Sequence, residues 1–187
     1  MNSKLFATNI LMVLAIFFVS SSCLADIKLP AIFSDGMVLQ QQTSVALWGW
    51  ASPGEKITIQ TSWIDWPQTA VTGSDGKFNV MLRTPKASMN SNSLTIAGNN
   101  SITLKEVLIG EVWVASGQSN MGFSLKSDAS AKTEIPQANF PNIRYFYVER
   151  QYGLQAFNDA PGSFWKKTTP ETAPNFSNLA ISCILFN

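Results

Sequence analysis

Ser119, in the run Gly117-Gln118-Ser119-Asn120-Met121, is the residue whose neighbours best suit it for chemistry. A compact strand-like run, Glu111 to Ser116 (EVWVAS), precedes it, and Gly122 to Lys126 follows as the expected opening of a helix. The C-terminal end of a buried strand, at the turn into a helix, is where α/β enzymes expose a reactive group. A serine there presents its hydroxyl beside backbone N–H groups that suit an oxyanion, so the chemistry would be nucleophilic acyl transfer. Gly117 and the small Ser116 let the backbone turn tightly, and Gln118 and Asn120 flank the serine as support for that turn. A plainer role is also open, because serine is a frequent helix N-cap. Gly-Gln-Ser is not a general catalytic motif, and residue types alone do not decide between the two.

The residue inventory narrows the options. The chain has no histidine, which excludes a His-liganded metal and a Ser-His or Cys-His pair within these 187 residues. Cys23 and Cys183 are the only cysteines, too few for a zinc site, and no cofactor is implied. Cys183 lies in an apolar run and reads as buried and inert. Formal net charge is +1 and becomes zero without the segment carrying Lys4. Such neutrality leaves no electrostatic footprint for nucleic acid. With 45% hydrophobic and 13% charged residues, the chain is composed to build a packed core.

The first 25 residues read as a secretory signal peptide. Lys4 supplies the positive start, Ile10 to Val19 the apolar stretch, and Ser20 to Ala25 a small-residue cleavage zone. That apolar stretch is short for a membrane span. Cleavage after Ala25 and export to a periplasmic or extracellular compartment are expected. A lipid anchor on Cys23 ranks second, and an uncleaved anchor third.

The positioning elements fall into two blocks. Residues 26–108 show short runs of β-formers at roughly ten-residue spacing, the texture of an antiparallel β-sandwich-like module. The runs are Val45–Trp50, Ile57–Trp63, Gln68–Thr72, Lys77–Leu82, Leu94–Ala97 and Ile102–Leu108. Turn signals separate them at Ser52-Pro53-Gly54-Glu55, at Gly73-Ser74-Asp75-Gly76 (read as a hairpin turn) and at Gly98-Asn99-Asn100. Residues 109–187 read as strand, turn, helix, strand, helix, with Ile143–Val148 as a second buried strand and Pro174–Phe186 as a closing helix. This order predicts the start of an α/β domain with a parallel sheet.

Several other residues invite a role. Trp48, Trp50 and Trp113 are expected in the core, whereas Trp63 and Trp66 flank a turn and could face a sugar. Glu111 is either a structural hydrogen-bond partner or a solvated carboxylate. Asp35-Gly36 reads as a turn pair, and the Asn99-Asn100-Ser101 spacing carries no meaning outside a glycosylating compartment.

The run Gly110 to Met121 (GEVWVASGQSNM) resembles the nucleophile block of the sialate O-acetylesterase family, serine esterases of the SGNH-hydrolase superfamily. Leu29 to Gln41 (LPAIFSDGMVLQQ) resembles that family's opening segment, and Trp48 to Glu55 its first hairpin. Ile143-Arg144-Tyr145-Phe146 resembles the second strand of its catalytic domain, and the likeness fades beyond Arg150. The resemblance implies Ser119 as nucleophile toward O-acetylated sugars, with its own N–H as one oxyanion donor. It also implies a three-layer SGNH-type α/β domain, of which residues 109–187 form the start. The family's further oxyanion donors, a Gly and an Asn, and its Asp-x-x-His base have no counterpart here, so the chain alone is expected to be close to inactive. Two rival readings are a non-catalytic secreted β-module that binds glycans or a protein partner, and a truncated product that folds poorly.

Overall fold

The computed structural model describes residues 25–149 and 151–178. The stretch carrying Lys4 and Cys23 and the apolar run carrying Cys183 lie outside the described residues. What is described is mostly sheet, with few helices.

Seven strands occupy the first block: β1 (Val38–Gln40), β2 (Ser44–Trp50), β3 (Lys56–Thr61), β4 (Gln68–Val71), β5 (Lys77–Arg83), β6 (Ser88–Ala97) and β7 (Ser101–Gly110). Alternation explains the clearest of them. In β5, Phe78, Val80 and Leu82 are buried while Lys77, Asn79, Met81 and Arg83 face solvent. In β3, Ile57, Ile59 and Thr61 point inward. A mixed five-stranded sheet runs β1-β7-β6-β3-β4, with β1 parallel to β7 and its other pairs antiparallel. Strands β2 and β5 form a separate antiparallel ribbon, with Leu47 opposite Val80. One core joins the two sheets. Leu47, Phe78, Val80 and Leu82 from the ribbon pack with Ile57, Ile59, Leu94, Ile96, Leu104 and Val107 from the larger sheet.

The turns form where expected, but one joins different partners. Gly76 takes φ +73°, and its N–H donates to the Gly73 carbonyl at 3.0 Å. Yet β4 pairs with β3 and β5 with β2, so this turn carries the chain from one sheet to the other instead of closing a hairpin. Turn chemistry sets the reversal; packing of apolar faces selects the partner.

Trp48 packs against the core as expected, though only half-buried, and Trp50 is half-buried as well. Leu47 and Gly49 are the buried positions of β2, so both tryptophans lie on its other, half-buried face. They meet each other edge-on at 5.3 Å, and Trp48 also meets Phe33 at 6.0 Å. A Cβ at Gly49 would stand 2.5 Å from the Lys28 carbonyl and 2.9 Å from the Phe78 ring, so no side chain fits there.

The second block departs further from the expected pattern. Residues 111–118 form no strand. Short 3-10 turns follow at Ser119–Gly122 and Leu125–Ser127 in place of a helix opening at Gly122, and an α-helix, α1, follows at Ala131–Gln137. Ile143–Val148 falls largely within β8 (Phe140–Tyr147), which is half-buried and antiparallel to β9 (Phe164–Thr168). Among the described residues the one parallel pair is β1–β7. At the start of the expected closing helix, Ala173–Asn175 is a 3-10 turn and Phe176 is extended, while Asn178 is helical; residues beyond 178 lie outside the described residues.

The β8–β9 hairpin is fastened to the first block. Arg144 Nη1 donates to the Gly36 carbonyl at 2.7 Å and also to the Glu106 carbonyl. Glu106 sits in β7 at φ +56°, a conformation that costs a non-glycine residue roughly 1–3 kcal/mol and is held only by its surroundings. Its carboxylate pairs with Lys167 Nζ at 2.9 Å, and that contact holds its pKa below the usual range. Trp165 Nε1 donates to the Ile32 carbonyl at 2.8 Å, and the Ala31 N–H donates to Asp159 Oδ1 at 2.8 Å. Burial lowers the Arg144 pKa, partly offset by Glu106.

Candidate active site

Ser119 opens a four-residue 3-10 turn, Ser119–Gly122, and is exposed. Met121 N–H donates to the Gln118 carbonyl at 3.1 Å, and Phe123 N–H to the Asn120 carbonyl at 3.2 Å. The Ser119 hydroxyl has no hydrogen-bond partner among the described residues, nor have the backbone N–H groups of Ser119 and Asn120. Unpartnered N–H groups are what the first turn of any helix leaves over. Gln118 occupies the N-cap position and makes no side-chain cap bond, so Ser119 does not serve as the cap. A Cβ on Gly117 would come within 2.7 Å of Met121 Cγ, which is the close return that glycine permits. Thus Gly117, Gln118, Ser119 and Asn120 form one local turn, while no acidic or basic side chain is hydrogen-bonded to Ser119 among the described residues.

The approach to the serine is open. Trp113 is 65% exposed and Val114 91%, where a buried strand would have hidden both. Trp113 therefore does not join the core. A strand is buried only when other strands flank it, and among the described residues none pairs with 111–116. Trp63 is partly buried against the core and donates from Nε1 to the Arg83 carbonyl at 3.1 Å, whereas Trp66 remains 66% exposed.

Two anchors bracket this open stretch. Upstream, Glu111 accepts from Gln40 Nε2 at 2.9 Å and from Gln41 Nε2 at 2.5 Å. Val112 N–H donates to Gln40 Oε1 at 2.8 Å. Those amide donors hold the Glu111 carboxyl below its usual pKa, and Glu111 is at once a hydrogen-bond partner and solvent-exposed. Downstream, Leu125 N–H donates to the Phe176 carbonyl and Asn178 N–H to the Phe123 carbonyl, both at 2.9 Å. Asp128 accepts from the Ser130 N–H and hydroxyl, which lower its pKa, and from Asn178 Nδ2 at 2.8 Å. Burial beside Phe176 accompanies a rise in the Tyr145 pKa to about 12. Sequence reasoning missed Gln40, Gln41 and Arg144 as organising residues. A run of three glutamines, Gln40 to Gln42, at the end of an apolar strand was the available signal.

Comparison with known proteins gives one consistent set of names. No family model matches the chain. It is 27% identical to mouse "Sialate O-acetylesterase" over 90% of this chain and 34% of that protein. The rat protein of the same name is 27% identical over 95% of this chain and 35% of its own length. Any match over 90% of 187 residues runs through position 119. Among solved structures, a carbohydrate acetylesterase from Xanthomonas citri aligns with TM-score 0.78 and 28% identity, over 83% of this chain and 36% of that one. The chain is similar to the sialate O-acetylesterases over most of its own length. It spans about a third of the length of these relatives. The likeness to acetylesterases holds in both sequence and fold. No helix among its described residues is long and apolar enough to cross a membrane.

Proposed function

We propose that the chain is part of an exported carbohydrate esterase that removes O-acetyl groups from sialic acids or related acetylated sugars, with Ser119 as nucleophile. The observation that carries this reading is an exposed serine with an unpartnered hydroxyl, inside a chain matched to acetylesterases in sequence and fold. In the reaction, Ser119 Oγ bonds to the acetyl carbonyl carbon and the sugar oxygen leaves with a proton. Water then cleaves the acetyl-enzyme, releasing acetate and restoring the hydroxyl. The Ser119 N–H is one donor for the developing oxyanion, and Gly117, Gln118 and Asn120 shape the turn that presents it. Two sheets sharing one core support a β-sandwich-like module at 26–108, and 109–187 is read as the start of an SGNH-type α/β domain.

Without histidine, this chain has no imidazole of its own to take the serine proton, so alone it is close to inactive. The test combines a fluorophosphonate probe with an acetate assay on O-acetylated sialic acid. Slow labelling confined to Ser119, abolished in Ser119→Ala, is expected, with acetate release near the uncatalysed background. Labelling of other residues instead of Ser119 would remove the nucleophile, and esterase-like turnover would overturn the inactivity. The missing histidine also favours a second reading, a glycan- or partner-binding β-module without catalysis, for which the probe finds no reactive serine. Export rests on the first 25 residues, and a mass spectrum of secreted protein beginning at Asp26 is the expected outcome; a retained Met1 would sink it.

A further inference from the structure

Ser119 hangs on a stretch with few ties of its own. From Trp113 to Gly117 no residue makes a hydrogen bond to any described residue, and the turn at 119–122 is closed only by its own backbone. Its position therefore depends on the anchors at either end. Downstream, the chain is tied at Phe123 and Leu125 to residues 176–178. Upstream, the last ties are the carboxylate of Glu111 with the paired amides of Gln40 and Gln41, and the Val112 N–H with Gln40 Oε1. Those ties are deeply rooted in the first block. Gln40 lies opposite Gly110 in the parallel β1–β7 pair, and Gln41 N–H donates to the Gly110 carbonyl at 2.9 Å. The Gln40 carbonyl accepts from Thr84 Oγ1 at 2.7 Å, and Gln41 Oε1 accepts from the Ala87 N–H at 2.7 Å.

We infer that Gln40, Gln41 and Glu111 form a positioning clamp that fixes where the serine-bearing segment leaves the N-terminal sheet. The inference rests on the reading of Ser119 as nucleophile and assigns the first block a task in it. Each donor and acceptor in the clamp has a set place: Gln40 spends its Nε2 on Glu111 and its Oε1 on Val112 N–H. Glu111 divides its two oxygens between the two glutamines. Glu111→Gln therefore sets an amide against an amide donor, and Gln40→Glu sets carboxylate against carboxylate. The pair exchanged together, Gln40→Glu with Glu111→Gln, restores every donor–acceptor match. Gln41 can donate to the new amide oxygen, the new amide nitrogen to Glu at 40, and Val112 N–H to the remaining carboxylate oxygen.

The experiment is residue-resolved hydrogen exchange on the 187-residue chain, with urea midpoints and fluorophosphonate labelling measured in parallel. Each single exchange should speed exchange of the Val112 and Met121 amides about tenfold, the order expected for losing one charge-assisted bond. The Ile59 amide and the urea midpoint should hardly move. The swapped pair should return both amides to the parent rate. Unchanged Val112 and Met121 exchange, or no rescue by the pair, overturns the clamp. Accelerated Val112 exchange with an unmoved Met121 also overturns it, because the tie would then be local. Failure of the parent chain to label at Ser119 counts against the nucleophile instead, and leaves the exchange comparison intact.

Discussion

The block before Gly110 and the block after it are built from similar proportions of apolar residues and solve burial differently. In the first, Ile57, Ile59, Leu94, Ile96 and Val107 are fully enclosed between two sheets. In the second, the buried cluster among the described residues is small, comprising Leu125, Ala138 and Ala173 with Ile135 against it, while Trp113, Val114, Tyr152 and Leu154 stand in solvent. The first block supplies an enclosed core shared by two sheets, and Ser119, the proposed nucleophile, sits on a lightly held segment attached to it.

The comparison is broken most directly through the cores. Ile59→Ala should lower unfolding free energy by roughly 2–5 kcal/mol, because a fully enclosed site cannot collapse around the deletion. Leu125→Ala should cost less than Ile59→Ala, since its cluster among the described residues is small. Urea denaturation of both variants checks this, and an equal or larger loss at Leu125 would show that the second block has a comparable core.

A smaller effect sharpens the seam between the blocks. Arg144→Ala removes the donor to the Gly36 and Glu106 carbonyls, and should cost about 1–3 kcal/mol while loosening β8 ahead of β3. Hydrogen exchange at Phe140–Tyr147 is the readout. Faster exchange there with Lys56–Thr61 unchanged is expected; uniform loosening would mean that the two blocks unfold as one.

Much of the first block was legible in its residues. The apolar alternation in Lys77–Arg83 and Lys56–Thr61 and the glycines at turns 54 and 76 suffice to mark strands and reversals, because they act over a few neighbouring residues. The serine turn was legible as a short run of residue types, from Gly117 to Met121. Partner choice was not. Whether Asp75-Gly76 closes a hairpin or crosses between sheets depends on which apolar faces meet, and β4 and β5 went to different partners. The exposure of Trp113 likewise depends on flanking strands, which its own hydrophobicity cannot supply.

The candidate serine turn, the absence of an imidazole and the local periodicity of the strands are thus written in the sequence. Tertiary structure alone decided that Gln40 and Gln41 hold Glu111, and that Arg144 reaches Gly36 and the left-handed Glu106. The physical reason is separation along the chain. Periodicity and turn chemistry are properties of adjacent residues, whereas these hydrogen bonds join groups 38 to 108 positions apart and exist only once the sheets have packed.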